Sequence, residues 1–206
     1  MLRAPGCSAG NVLFSDARGA TAFSGKIKGC RGLVSIPNLA TSNTVTPSTK
    51  PMAIVVNKPI PEFEANATGG IRVTNTSHNG AVLVLYFYPK DNTPGCTTEG
   101  IRFRELYPEF QQANTEIFGV SRDSLRSHEG FRAKLAMPFQ LISDPDETLC
   151  SLFNVIRSKT MYGKAVRGID RSTFIIDGSG RLVKEWRGVK VPGHVDEVLE
   201  FVKAIH

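Results

Sequence analysis

A single cysteine stands at position 96 in the stretch PKDNTPGCTTEG, residues 89–100, directly after the apolar run AVLVLYFY. A cysteine acts as a nucleophile only as its thiolate, so the question is what would ionise it. At a free-thiol pKa of about 8.5, roughly 3% is thiolate at pH 7. A mostly ionised thiol needs a pKa near 6, about 3 kcal/mol of specific stabilisation. A helix opening at Cys96 offers unpaired N–H groups and a favourable dipole, but only about 0.3–1 kcal/mol. A cationic side chain must supply the rest. Pro89 and Pro94 restrict the loop, and Gly95 lets other backbone come close. Thr93 can cap the helix or offer its hydroxyl to a substrate oxygen. The competing reading is the usual fate of a free cysteine, a buried and inert thiol.

The elements that would carry this loop follow a regular order. Residues 81–88 are apolar on both faces, as in a central strand covered on both sides. The pattern then predicts a helix over 97–113 with Ile101, Phe103, Leu106, Tyr107 and Phe110 on its apolar side, bent or cut at Pro108. A strand is predicted over 116–121, a helix over 124–136 capped by Ser124 with Leu125, Phe131 and Leu135 inward, a short strand over 139–142 and a short helix over 146–153. Strands over 171–177 and 181–186 are joined by Gly178-Ser179-Gly180, a hairpin signal. A last helix over 195–205 has Val195, Val198, Leu199, Val202 and Ile205 at helical spacing. Residues 158–167 read as a mobile loop bordering the site, and His78, His128, His194 and His206 as solvated or capping side chains. The order β-α-β-α-β-α-β-β-α predicts an α/β fold, a thioredoxin-like mixed sheet sandwiched by helices. In such sheets sites form past the carboxyl ends of strands, where the 89–95 loop delivers Cys96.

Composition narrows the function classes. The chain of 206 residues has a net charge of +6, but residues 1–51 hold six basic residues against one acidic, leaving nineteen basic and eighteen acidic for 52–206. The folded part is therefore near neutral and has no nucleic-acid surface to suggest. No apolar run approaches a membrane span. The four cysteines, at 7, 30, 96 and 150, form no CxxC pair and no cluster with histidine, so no metal or cofactor is expected. Their spacing fits a reducing compartment, the cytoplasm, better than a secreted disulfide framework. Residues 1–51 are rich in Ser, Thr, Gly and Ala. They are expected to be a disordered basic leader before a domain spanning 52–206. The leader's composition fits an organelle presequence, and equally an upstream start with Met52 as the working initiator.

PKDNTPGCTTEG, with GVSRDS (119–124), LISDPDETLC (141–150) and MYGKAVRGIDRSTFIID (161–177), resembles the peroxiredoxins of the bacterioferritin comigratory protein class, also called peroxiredoxin Q. The resemblance runs from about Met52 to the end, and because relatives usually begin near that position the upstream-start reading of 1–51 is preferred. It implies a thioredoxin-like thiol peroxidase that reduces hydrogen peroxide and organic hydroperoxides. The family's Pro-x-x-x-Thr-x-x-Cys falls on Pro89, Thr93 and Cys96, and its arginine on Arg171. By resemblance Cys96 is the peroxidatic cysteine, Thr93 binds the peroxide, Pro89 shields the thiolate and Arg171 holds both. Many relatives carry a resolving cysteine five residues later; here that residue is Ile101. Cys150, between Leu149 and Leu152 in ETLCSLF, reads as core. Cys7 and Cys30, in the leader, could reach Cys96 only by flexible looping, so a one-cysteine enzyme follows, regenerated by an external thiol: thioredoxin, glutaredoxin or glutathione. The resemblance also implies a monomer.

Two other readings remain at this point. Cys96 and Arg102 satisfy the C-x5-R spacing of cysteine phosphatases, although Glu99 would put a negative charge in a phosphate cradle. A peroxide sensor or chaperone would use the same cysteine without turnover.

Overall fold

The strand that feeds the cysteine loop is an interior strand of a seven-stranded mixed sheet. A computed structural model describes residues 54–78, 80–161 and 164–205, without the side chains of 159–166. The leader, Cys7, Cys30 and His206 lie outside the described residues. The chain runs β1 (Glu64–Ala67), β2 (Ile71–Thr74), β3 (Val82–Phe87), α1 (Pro94–Gln112), β4 (Thr115–Ser121), α2 (Leu125–Leu135), β5 (Gln140–Ser143) and α3 (Thr148–Leu152). It continues with β6 (Ile156–Met161), β7 (Lys164–Ile169), β8 (Ser172–Ile176), β9 (Leu182–Arg187) and α4 (His194–Ala204). The sheet order is β2-β1-β5-β4-β3-β8-β9, with β3, β4 and β5 parallel and every other pair antiparallel. This is the expected α/β, thioredoxin-like arrangement.

All six residues of β3 are buried, because both faces of the sheet are covered. Val82, Val84, Tyr86 and Tyr88 face α1, α2 and α4, where they meet Phe103, Phe110, Phe131, Val198 and Val202. Leu83, Leu85 and Phe87 face the opposite layer, built from α3 and the segment before β1, with Leu149, Cys150, Phe153, Ile60 and Phe63. The period-2 alternation of β3 therefore assigns each neighbouring group to one of two separate cores.

Several expectations are corrected. Helix α1 begins three residues earlier than predicted, at Pro94, and continues through Pro108. Buried Phe103, Leu106 and Phe110 flank the proline and hold the helix on the sheet, outweighing its local cost of about 3 kcal/mol. Leu125, the first residue of α2, stays 38% exposed; His128 takes the inward position one turn on. Ile205 lies past the end of α4 and is likewise exposed. Residues 158–167 are not a loop: most of them pair in the β6–β7 hairpin, in register from Ile156↔Ile169 to Met161↔Lys164. His78, His128 and His194 are buried rather than solvated, each below a tenth exposed. Hairpin β1–β2, turned through Thr68–Gly70, was absent from the predicted order.

Candidate active site

Strand β3 ends at Phe87, and the chain leaves the sheet through Tyr88 and an exposed Pro89. The loop is then tied down by a buried polar knot around Asp91. Tyr88 donates its hydroxyl to Asp91 Oδ1 at 2.8 Å, and Ser127 donates to Oδ2 at 2.7 Å. His128 Nδ1 lies 2.9 Å from Oδ2, and its Nε2 lies 3.1 Å from the Ile142 carbonyl. The Asp91 backbone N–H donates to Asp123 Oδ2 at 2.9 Å. Burial pushes the Asp91 carboxyl up, but hydrogen bonds from His128, Ser127 and Tyr88 outweigh it and hold the group below the ordinary carboxylate range. One short loop is thus fastened to β3, to α2 and to the turn after β4.

Thr93 follows at the N-cap position, with extended backbone and Pro94 next to it. It does not cap through its side chain; its hydroxyl donates to the Lys90 carbonyl at 3.0 Å. That donation spends its proton and leaves its lone pairs as acceptors. Cys96 sits in the first turn of α1, 3% exposed, where backbone N–H groups lack intrahelical partners.

The cation that the ionisation arithmetic demanded is present. Arg171, between β7 and β8, donates from Nη2 to Cys96 Sγ at 3.2 Å. Gly95 lies against it: a Cβ there would stand in contact with Arg171 Nη2, at 3.4 Å. Burial lowers the Arg171 pKa, but the charges and hydrogen bonds of Glu99 and Cys96 raise it further, so the guanidinium stays charged. Arg171 Nη1 pairs with Glu99, which is completely buried one helical turn after Cys96. Burial pushes Glu99 up to about 7, against the downward pull of Arg171.

The structure therefore brings Cys96 and Arg171 into contact and puts Thr93 at the helix start that holds Cys96, with Pro89 exposed at the head of the same loop. It also adds residues that the sequence reading left out. Glu99 was weighed only as an obstacle to a phosphate; its i, i+3 spacing from Cys96 puts both on one helix face, a signal that could have found it. Asp91 and His128 gave no local signal, since they meet only through the fold. The C-x5-R cradle does not form. Arg102 is turned to Asp196 and Glu105, with Nε 3.2 Å from Asp196 Oδ2 and Nη1 3.2 Å from Glu105.

Cys150 is fully buried in the other core, on the far side of the sheet from Cys96. Burial and the Asp144 carboxylate push its thiol pKa upward, and its backbone N–H is held by Asp144 Oδ2 at 2.7 Å. Both described cysteines are free thiols.

Comparison with known proteins places the chain in a family. The AhpC/TSA family matches residues 56–185. Peroxiredoxin Bcp of Xanthomonas campestris is 53% identical over 143 residues, 69% of this chain and 89% of the relative. Peroxiredoxin Bcp of Bacillus subtilis is 44% identical over 152 residues, 74% of this chain and 97% of the relative. A solved Xanthomonas campestris peroxiredoxin Q superposes with a TM-score of 0.67 at 54% identity, covering 69% of this chain and 90% of that one. A cysteine held by an arginine at the mouth of a thioredoxin-like sheet, found together with these relatives, makes the chain a member of the AhpC/TSA family and, within it, of the Bcp or peroxiredoxin Q thiol peroxidases.

Proposed function

We propose that Cys96 is the peroxidatic cysteine of a one-cysteine enzyme reducing hydrogen peroxide and organic hydroperoxides. The observation that carries this reading is the 3.2 Å contact between Arg171 Nη2 and Cys96 Sγ at the start of α1. The Cys96 thiolate attacks one peroxide oxygen; a sulfur–oxygen bond forms as the O–O bond breaks. The leaving oxygen departs as alkoxide or hydroxide, takes a proton, and is released as alcohol or water. Arg171 and the N–H groups of the first turn of α1 stabilise the developing charge. Thr93, whose hydroxyl hydrogen is donated to the Lys90 backbone carbonyl, accepts a hydrogen bond from the peroxide O–H. Pro89 stiffens the loop and keeps solvent from the thiolate. Cys96 is left as a sulfenic acid.

Regeneration falls to an external thiol, thioredoxin, glutaredoxin or glutathione. It forms a mixed disulfide with release of water, and a second thiol then frees Cys96. Ile101 cannot resolve the sulfenic acid, and Cys150 is walled off by the sheet. The protein acts as a monomer in the reducing cytoplasm, over a domain spanning 52–206. No helix among the described residues is long and apolar enough to cross a membrane.

The test is the intact mass of reduced protein after one equivalent of hydrogen peroxide, with peptide mapping. A gain of about 16 Da on Cys96, converted to a mixed disulfide by glutathione, supports the reading. A loss of about 2 Da would instead mean an internal disulfide and end the one-cysteine mechanism. An unmodified Cys96 would end the assignment of the site.

A further inference from the structure

One guanidinium serves two acids in this site. Arg171 gives Nη1 to Glu99 and Nη2 to Cys96, and its side chain is 14% exposed. Glu99 is wholly buried; Oε2 takes the ion pair, and Oε1 has no hydrogen-bonding partner among the described residues. The groups around this cluster come from four elements. Cys96 and Glu99 stand on α1, and Arg171 on the link before β8. Burial, and after it the nearby Glu99 and Cys96, push the Tyr86 hydroxyl of β3 well above its ordinary range, and Tyr86 Oη has no hydrogen-bonding partner among the described residues. His194, at the start of α4, is kept neutral by burial, with a pKa of about 4. With both acids ionised, one positive charge would face two negative charges out of contact with water. Like charges that share a buried site do not both ionise readily.

We propose that Glu99 and Cys96 are alternating anions of Arg171: Glu99 takes up one proton as the Cys96 thiol gives one up. The cluster starts as Arg171 cation, Glu99 carboxylate and Cys96 thiol, and ends as Arg171 cation, Glu99 carboxylic acid and Cys96 thiolate. One proton moves from sulfur to carboxylate, and the net charge is zero in both states. Oε1, the oxygen without a donor, is where that proton is held, since an unpaired buried carboxylate oxygen is the atom that protonation relieves. Burial, which pushes Glu99 up to about 7, keeps the exchange within reach of neutral pH. Glu99 is then a positioning residue: it fixes Arg171 and also decides at what pH the thiolate has the guanidinium to itself.

This rests on Cys96 and Arg171 as assigned above, and the test separates the two. In Glu99→Gln the amide still accepts from Arg171 but cannot ionise. The pH midpoint of Cys96 alkylation by iodoacetamide is expected to fall by roughly one to two units, the scale of unit charges sharing one guanidinium at an effective dielectric near 20. A residue that only held Arg171 in place would leave the midpoint where it is, because the amide holds it too. The second measurement needs no Glu99 variant. In protein labelled with ¹³C at glutamate, Glu99 is expected to titrate lower in Cys96→Ser than in wild type, because linkage is reciprocal. An unchanged midpoint in Glu99→Gln, or an unchanged Glu99 titration in Cys96→Ser, overturns the exchange while wild-type Cys96 still oxidises with peroxide. If wild-type Cys96 does not oxidise, the peroxidase site fails and this inference with it.

Discussion

At the scale of single residues, the site is a set of short-range arrangements that a different side chain cannot reproduce. Arg171 reaches two groups at once because its planar fork carries donors in fixed directions. Lysine has the charge without the fork. Arg171→Lys is expected to lower the rate of Cys96 oxidation by hydrogen peroxide about 10²-fold, the usual loss when one oriented donor to a developing anion is removed. Stopped-flow single-turnover oxidation measures this, and a rate within a few-fold of wild type would refute the role. The site was partly legible in the sequence. Cys96, Thr93 and Pro89 are local to one motif, and the need for a cation followed from arithmetic on a thiol. Glu99 was missed because its role depends on Arg171, which is distant in sequence and adjacent in space.

At the scale of elements, the loop between β3 and α1 is positioned by contacts with other elements as much as by its own prolines. Asp91 accepts from Tyr88, Ser127 and His128, all but Tyr88 from α2. Asp91→Ala removes a buried charged partner from Tyr88, Ser127 and His128. The expected loss of stability is about 3–5 kcal/mol. Urea denaturation measures it, and hydrogen exchange is expected to quicken first at residues 89–95. A loss below about 1 kcal/mol would show that the knot does not hold the loop. Elements with strong periodicity, β3, α2 and α4, were readable because one face must be buried. Helix α1 was read three residues short although Thr93-Pro94 is an N-cap and first-turn signal. The hairpins β1–β2 and β6–β7 were missed because their short strands lack a clear alternation; β1 is fixed by pairing with β5 across the fold, while β6 and β7 pair only with each other among the described residues.

At the scale of the whole molecule, two buried groups set opposite pH slopes. Burial lowers His194 from 6.5 to about 4, so the unfolded chain binds more protons between those values and stability rises with pH there. His78, lowered chiefly by burial, acts in the same direction. Glu99 is raised from 4.5 to about 7, so the folded chain binds more protons and stability falls as pH rises through that window. The two oppose each other between pH 4.5 and 6.5, at up to about 1.4 kcal/mol per unit each. Urea midpoints across this range are expected to change little in wild type, to rise with pH in Glu99→Gln, and to tilt the other way in His194→Gln. Parallel profiles for all three proteins would refute the assignment. The burial of Cys96, at 3% exposure, has a consequence for timing. Under the proposed function, a small hydroperoxide is expected to reach this sulfur more readily than a protein thiol, which would need the first turn of α1 to open. Oxidation and recycling then run on separate clocks, and every ~1.4 kcal/mol of loop stability lengthens the life of the oxidised form tenfold. On that expectation the knot at Asp91, besides holding the loop in place, would set how long the molecule stays spent after each peroxide.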